Sequence, residues 1–368
     1  MSKKIIPLLI ATVLCFCYCK KNKTTEPEEP ETPFDKQALL HNYADNIILP
    51  NYVAFSVALD SLINTYNTFK ITTNSSNFNF VKQQFQATYL KYQQISLYEF
   101  GPAEQELVRS NFNVFPTDSV QIKANIAAGT YNLQIASNLD AKGFPALDFL
   151  FYDLNKTEAQ IITSFNISAN KKQYVSDLLL EMKTKINTII NAWNSNYKNQ
   201  FTNSLSTDIG SSIGYLINQL NFELDYLKNS KIGIPLGKKS LEIAIPDKCE
   251  LYYSKQSVTN ALATLKSIEN AYLGKSMAGV DGKGFDDYLD HLNASYGSGT
   301  LNNAIKNQFT LAHTKLNAIT GNLDAEVITN PALVNAAYTE LIKLLVLLKT
   351  DLPSNLGVVI TYQDGDGD

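Results

Sequence analysis

The sequence predicts an all-α protein built as two helical-bundle domains, and three observations point there. Glycine and proline number only 17 and 12 in 368 residues, below an average usage of roughly 7% and 5%. Apolar residues recur at intervals of three and four over long stretches. Strand-like runs are nearly absent; the β-branched patch Val358 to Thr361 either pairs with another segment or extends along a bundle. With 45% hydrophobic residues and a length sufficient for two domains, the chain has ample material for a core.

The N-terminus comes first in the chain and is not a fold element. Lys3 and Lys4 form a positive region, and the apolar run Ile5 to Leu14 is shorter than the ~20 residues that span a bilayer. Cysteines follow at 15, 17 and 19. This pattern resembles a bacterial lipoprotein signal, which implies removal of residues 1–18 and a lipid on the first mature cysteine. Cys19 is assigned that role because the polar run begins directly after it. Cys17, three places after Leu14, is the alternative, and the plain structural reading is three cysteines packing as small apolar residues in an ordinary signal. Residues 19–33 carry three prolines and many charges but no aromatic residue, so they read as a flexible tether. The expected location is the cell envelope, lipid-anchored to the outer membrane. Its periplasmic or surface face is open, and lysines rather than acidic residues after Cys19 favour the periplasmic one.

Helices then follow in order. From Phe34 to Phe69 the spacing is helical, and Pro50 should restart or kink the helix. Phe80 to Leu97 repeats the spacing with aromatics and stops at Gly101-Pro102. Val120 to Leu139, Tyr174 to Trp193, Ile209 to Leu227, Val258 to Leu273, Leu301 to Ile319 and Pro331 to Leu352 read the same way. Leu341 to Leu348 is apolar but too short for a membrane span and reads as a core helix. Glycines and prolines between Lys231 and Pro246 mark a join, giving expected domains at residues 34–235 and 236–368.

The segment Gly143-Phe144-Pro145-Ala146-Leu147-Asp148 is the most informative. Pro145 suits a first helical position, having no N–H to donate, and Asp148 would then meet the positive end of the helix dipole from the first turn. Alternatively, positions 145 and 148 share a helix face at the spacing of a two-point metal chelate, from which one ligand is missing.

Further blocks surround this segment: Tyr98-Glu99-Phe100-Gly101-Pro102, then Arg109 and the run Asn113 to Asp118. Later come Lys231 to Lys239, Cys249 to Ser257, Ala271 to Gly274, and the ending Leu356 to Asp368. Taken together, in this order, they resemble the imelysin family of bacterial envelope proteins. The family's signature is Gly-x-His-x-x-Glu; here Pro145 stands in place of the His and Asp148 in place of the Glu. The resemblance implies two helical bundles with the signature near their interface. It also implies an oxygen-rich site around Asp148 and Glu99 as metal ligands, lined by Gly143, Pro145, Arg109, Tyr98 and Asp153. Carboxylates without imidazole favour a hard cation such as calcium or magnesium, or ferric iron with tyrosine help. A buried bridge from Arg109 to Asp148 or Glu99 is the competing reading.

Other chemistry is excluded or weak. The three histidines, His41, His291 and His313, have no metal-ligand spacing, and no Gly-x-Ser-x-Gly elbow or phosphate loop occurs. Only Cys249 remains beyond the signal, so no internal disulfide is available; it reads as a small buried hydrophobe. The tail DGDGD is too short for a calcium loop. A net charge of −4 without a basic stripe argues against nucleic acid as a partner.

Three functions follow. Ahead is a non-peptidase envelope binding protein tied to iron or haem uptake, since the family is linked to iron-regulated proteins. The second is the metallopeptidase activity for which the family was named, disfavoured because Pro145 cannot ligate. The third is a structural or adhesion scaffold. Expected partners are the membrane, through the lipid, and iron, haem or another envelope protein.

Overall fold

The computed structural model describes residues 33–362; Cys17, Cys19, most of the tether and the DGDGD tail lie outside them. Among the described residues, ten helices of ten or more residues carry the fold. They are α1 Lys36–Ile71, α2 Ser75–Tyr92, α3 Ser119–Ala128, α4 Gly143–Tyr152, α5 Glu158–Ile167, α6 Ala169–Ala192, α7 Ser212–Tyr226, α8 Ser257–Tyr272, α9 Leu301–Asn317 and α10 Pro331–Leu356. A two-stranded hairpin, Ser295–Tyr296 with Gly299–Thr300, supplies the strands of this region.

Polar caps set many of the starts. Asn74 accepts the Asn77 N–H at the head of α2, and Asp118 accepts those of Val120 and Gln121 at the head of α3. Thr157 and Gln160 form a reciprocal capping box on α5. The reading of a helix over 120–139 overshoots: α3 ends at Gly129, which takes φ +69 as a left-handed C-cap. The chain then re-forms only as a 3-10 turn, Ala136–Ala141.

Prolines act differently from expectation. Pro50, Pro235 and Pro353 each stand two residues beyond a π-turn, at Tyr43–Ile48, Leu227–Gly233 and Leu347–Asp351. A proline lacks the N–H of its turn, and its ring collides with the carbonyl four residues back. Widening the preceding turn moves that carbonyl aside, so helical structure continues through the proline. α1 therefore runs on past Pro50. Residues 227–236 likewise stay helical through Gly233 and Pro235, and the break comes at Gly237, φ +96.

The first six helices enclose an aromatic core. Phe69 meets Phe165 at 5.3 Å, Phe85 meets Phe151 at 5.7 Å, and Phe144 stacks flat on Tyr89 at 4.3 Å. α7 to α10 form the second group, in which α9 pairs with α10 and α8 packs against α7 and α9. Leu341, Leu344 and Leu348 of α10 are fully buried. α1 and α10 are long and apolar enough to cross a membrane by length and composition alone; here both are core helices. Val358 to Thr361 forms no strand. The Asn218 amide donates to the Val359 carbonyl (3.0 Å) and accepts the Thr361 N–H (2.7 Å), so the segment extends along α7.

The expected join between residues 235 and 236 falls inside one packed unit that starts at Asp35. Side chains cross it: Asn42 donates to the Gly274 carbonyl at 2.6 Å, and the Tyr43 hydroxyl to that of Ala271.

Phe144 is 0% exposed and touches Tyr89, Tyr92, Phe85 and Phe55. Phe144→Ala should cost about 3–5 kcal/mol in urea unfolding; a loss below 1 kcal/mol would show that the core re-closes without it.

Candidate functional site

α4 enters the core through an extended Lys142 and through Gly143 at φ +69. A Cβ on Gly143 would lie 2.3 Å from the Phe112 carbonyl oxygen, so this glycine is required twice, by conformation and by space. The helix begins at Gly143, two residues before Pro145. Pro145 sits in the first turn, where its missing N–H leaves no intrahelical bond unmade. Asp148 falls in the second turn, which corrects the expectation of a first-turn carboxylate on the helix dipole.

Asp148 is 1% exposed and finds its partners in another segment. One carboxylate oxygen accepts the Tyr253 N–H at 3.0 Å, the other the Ser254 N–H at 3.1 Å. Burial pushes its pKa up to about 7, although those two bonds, the Ser254 side chain and the Lys255 charge pull the other way. Phe149 packs edge-on against Tyr253 at 5.2 Å. The signature helix is therefore latched to residues 250–255 by its carboxylate and the ring next to it.

The other expected ligands lie elsewhere. Glu99 pairs with Arg109 (Nη1 to Oε2, 2.6 Å) and accepts the Arg109 backbone N–H at 3.0 Å. Arg109 Nη2 also reaches Glu223 at 3.3 Å and the Ser96 carbonyl at 3.0 Å. Of the two bridges considered, the one to Glu99 forms. Asp153 is held by Lys156 at 2.8 Å and the Asn155 N–H. Tyr98 is buried, its carbonyl accepting the Tyr52 hydroxyl. Asp148, Glu99 and Asp153 thus belong to three different sets of partners.

Beside the Arg109 cluster lies a second buried one, which the sequence reading did not assemble. Lys231, 2% exposed, donates to Gln93 Oε1 (2.7 Å) and Thr264 Oγ1 (2.9 Å) and pairs with Glu250 at 3.2 Å. Glu250 also accepts from Asn113 Nδ2 (2.8 Å) and the Tyr89 hydroxyl (3.1 Å). Tyr226 joins the two clusters: its ring faces both the Arg109 guanidinium and the Lys231 ammonium, and its hydroxyl donates to the Asn113 carbonyl. Two cations thus face three carboxylates, Glu99, Glu223 and Glu250. Burial raises the Glu99 pKa, with Arg109 opposing, and holds the Tyr89, Tyr92 and Tyr226 phenols well above their ordinary range. Tyr92 Oη, Gln93 Nε2 and Arg109 Nε have no hydrogen-bond partner.

A metal of the expected kind does not fit these residues. Pro145 offers no donor, both Asp148 oxygens take backbone N–H bonds, and Arg109 occupies the space between Glu99 and Glu223. Among the described residues no group of three His, Cys, Asp or Glu side chains converges. His41 pairs with Asp45 and His313 with Glu269. Cys249 is buried, its thiol pushed up to about 12 by that burial.

A sequence profile of imelysin matches residues 48–350. The chain belongs to the imelysin family. It is 20% identical over 268 residues to iron-regulated protein A of Synechococcus elongatus, covering 66% of this chain and 67% of that protein. A putative iron-regulated protein A precursor from Parabacteroides distasonis shares the fold with a TM-score of 0.72 at 16% identity, over 89% of this chain and 97% of that one. An imelysin-like protein from Psychrobacter arcticum has a TM-score of 0.67 at 16% identity, with the same coverage.

Two measurements check this site. The Asp148 carboxyl holds its proton more tightly folded than unfolded, so native stability falls as pH rises from about 4 to about 7; the gap between 3.8 and about 7 corresponds to about 4 kcal/mol. Asp148→Asn should flatten that part of the stability–pH curve, and an unchanged slope would remove Asp148 as its source. Glu250→Gln leaves Lys231 buried without its carboxylate and should cost about 3–5 kcal/mol. Lys266, exposed and paired with a Glu269 that His313 also holds, should cost under about 1 kcal/mol when truncated.

Proposed function

We propose that this imelysin-family chain is a non-peptidase binding protein of the cell envelope that serves iron or haem acquisition. The observation that carries the non-peptidase reading is the commitment of the signature helix: Pro145 has no ligand atom, and Asp148 gives both oxygens to the backbone of Tyr253 and Ser254. The iron link is supported by the relative named iron-regulated protein A. The lipid anchor at Cys19, with Cys17 as alternative, and the outer-membrane location rest on the signal-like N-terminus.

The test has two arms. Purified protein should show no chelator-sensitive cleavage of denatured casein, while the transcript should rise on iron limitation and a deletion strain should grow poorly on haem or ferric iron. Cleavage abolished by a chelator would overturn the non-peptidase reading. Unchanged expression and growth under iron limitation would overturn the iron link.

A further inference from the structure

A cavity of about 280 Å³ opens between α3, α4, α5 and the start of α6. Its wall is apolar: Phe149 and Leu150 of the signature helix, together with Ile126 and Ala127 of α3. Ile167, 79% exposed, stands at its mouth. Three ammonium groups, Lys123, Lys156 and Lys171, also line it, against one carboxylate, Asp153.

The three lysines are not equivalent. Lys156 is paired with Asp153 at 2.8 Å, and Lys123 lies over the Phe149 ring at 5.4 Å. Lys171 is 7% exposed; its Nζ donates to Ser164 Oγ at 2.8 Å and lies 3.9 Å from the centre of the Phe165 ring. A hydroxyl and a ring do not neutralise a buried ammonium, which is costly to keep charged without an anion. The cavity therefore pairs an apolar wall with two amines, Lys171 and Lys123, that are not at ion-pair distance from a carboxylate among the described residues.

We propose that this cavity binds a medium-chain fatty acid, its alkyl tail against Phe149, Leu150 and Ile126 and its carboxylate on Lys171 and Lys123. The size agrees: an apolar cavity of about 150 Å³ accepts benzene, so nearly twice that volume accepts a chain of roughly eight carbons. Burial and the Lys156 charge push the Lys171 amine down to about 7, with Asp153 opposing; a bound carboxylate would return it to the charged form. The cavity shares Phe149 with the latch but uses neither Asp148 nor the iron reading.

The test titrates the protein with octanoate, octanol and acetate by calorimetry, on wild type, Lys171→Met and Lys171→Arg. Octanoate should bind saturably at one site, and octanol and acetate at least about tenfold more weakly, since a charge-assisted hydrogen bond and a buried chain each contribute at that level. Lys171→Met keeps the apolar stem and should weaken octanoate at least about tenfold, whereas Lys171→Arg should stay within about threefold of wild type. Thermal unfolding of each variant separates lost binding from lost fold, and if the methionine variant unfolds, the preference of wild type for octanoate over octanol carries the test. No saturable octanoate binding, equal binding of octanol, or undiminished binding by folded Lys171→Met would overturn the proposal.

Discussion

A carboxylate buried in an aromatic core must be given hydrogen bonds or a proton, and Asp148 shows how one such constraint organises a fold. Its partners are two consecutive backbone N–H groups more than a hundred residues away, at Tyr253 and Ser254. To meet them, α4 must enter the core at a fixed depth. Gly143 sets that depth by passing against the Phe112 carbonyl where a Cβ would not fit. Phe144 is then stacked on Tyr89, and the Tyr89 hydroxyl is brought to Glu250, in the same segment that receives Asp148. The latch and the buried charge network are thus two ends of one piece of architecture.

That arrangement holds the helix in place without a histidine at position 145. The glycine and the acidic position of the signature have structural work here that does not depend on a metal: one permits close approach, the other ties residues 250–255 to the helix. Gly101, in the Phe-Gly-Pro block, behaves alike, with φ +56 and the Tyr197 ring where a Cβ would stand. Buried ion pairs add little net stability against an apolar replacement but are expensive to break. The clusters around Arg109 and Lys231 each join residues of both helical groups.

Much of the fold was legible in the sequence. Three- and four-residue spacing located the long helices, and α8 and α9 follow it closely. The errors came from local backbone chemistry. Gly129 stops α3 early, and prolines read as breaks were carried by π-turns that periodicity does not reveal. The site was less legible. Gln93, Asn113, Lys231, Glu250 and Thr264 meet from five separate segments, and no spacing links them. The available signal was that Lys231 and Glu250 lie in two blocks quoted for the family resemblance, each a charge beside apolar residues. The expectation that Asp148, Glu99 and Asp153 share a site was carried over from the family blocks, and order along the chain does not say which blocks meet in space.

The central claim is that Asp148 belongs to the backbone of Tyr253 and Ser254 rather than to a ligand. Hydrogen exchange at those two amides, followed with and without stoichiometric ferric iron or calcium, tests it most directly. The account predicts strong protection that neither cation alters and that Asp148→Ala abolishes locally. Amides that lose protection when a cation is added, because the carboxylate has left them to bind it, would contradict it.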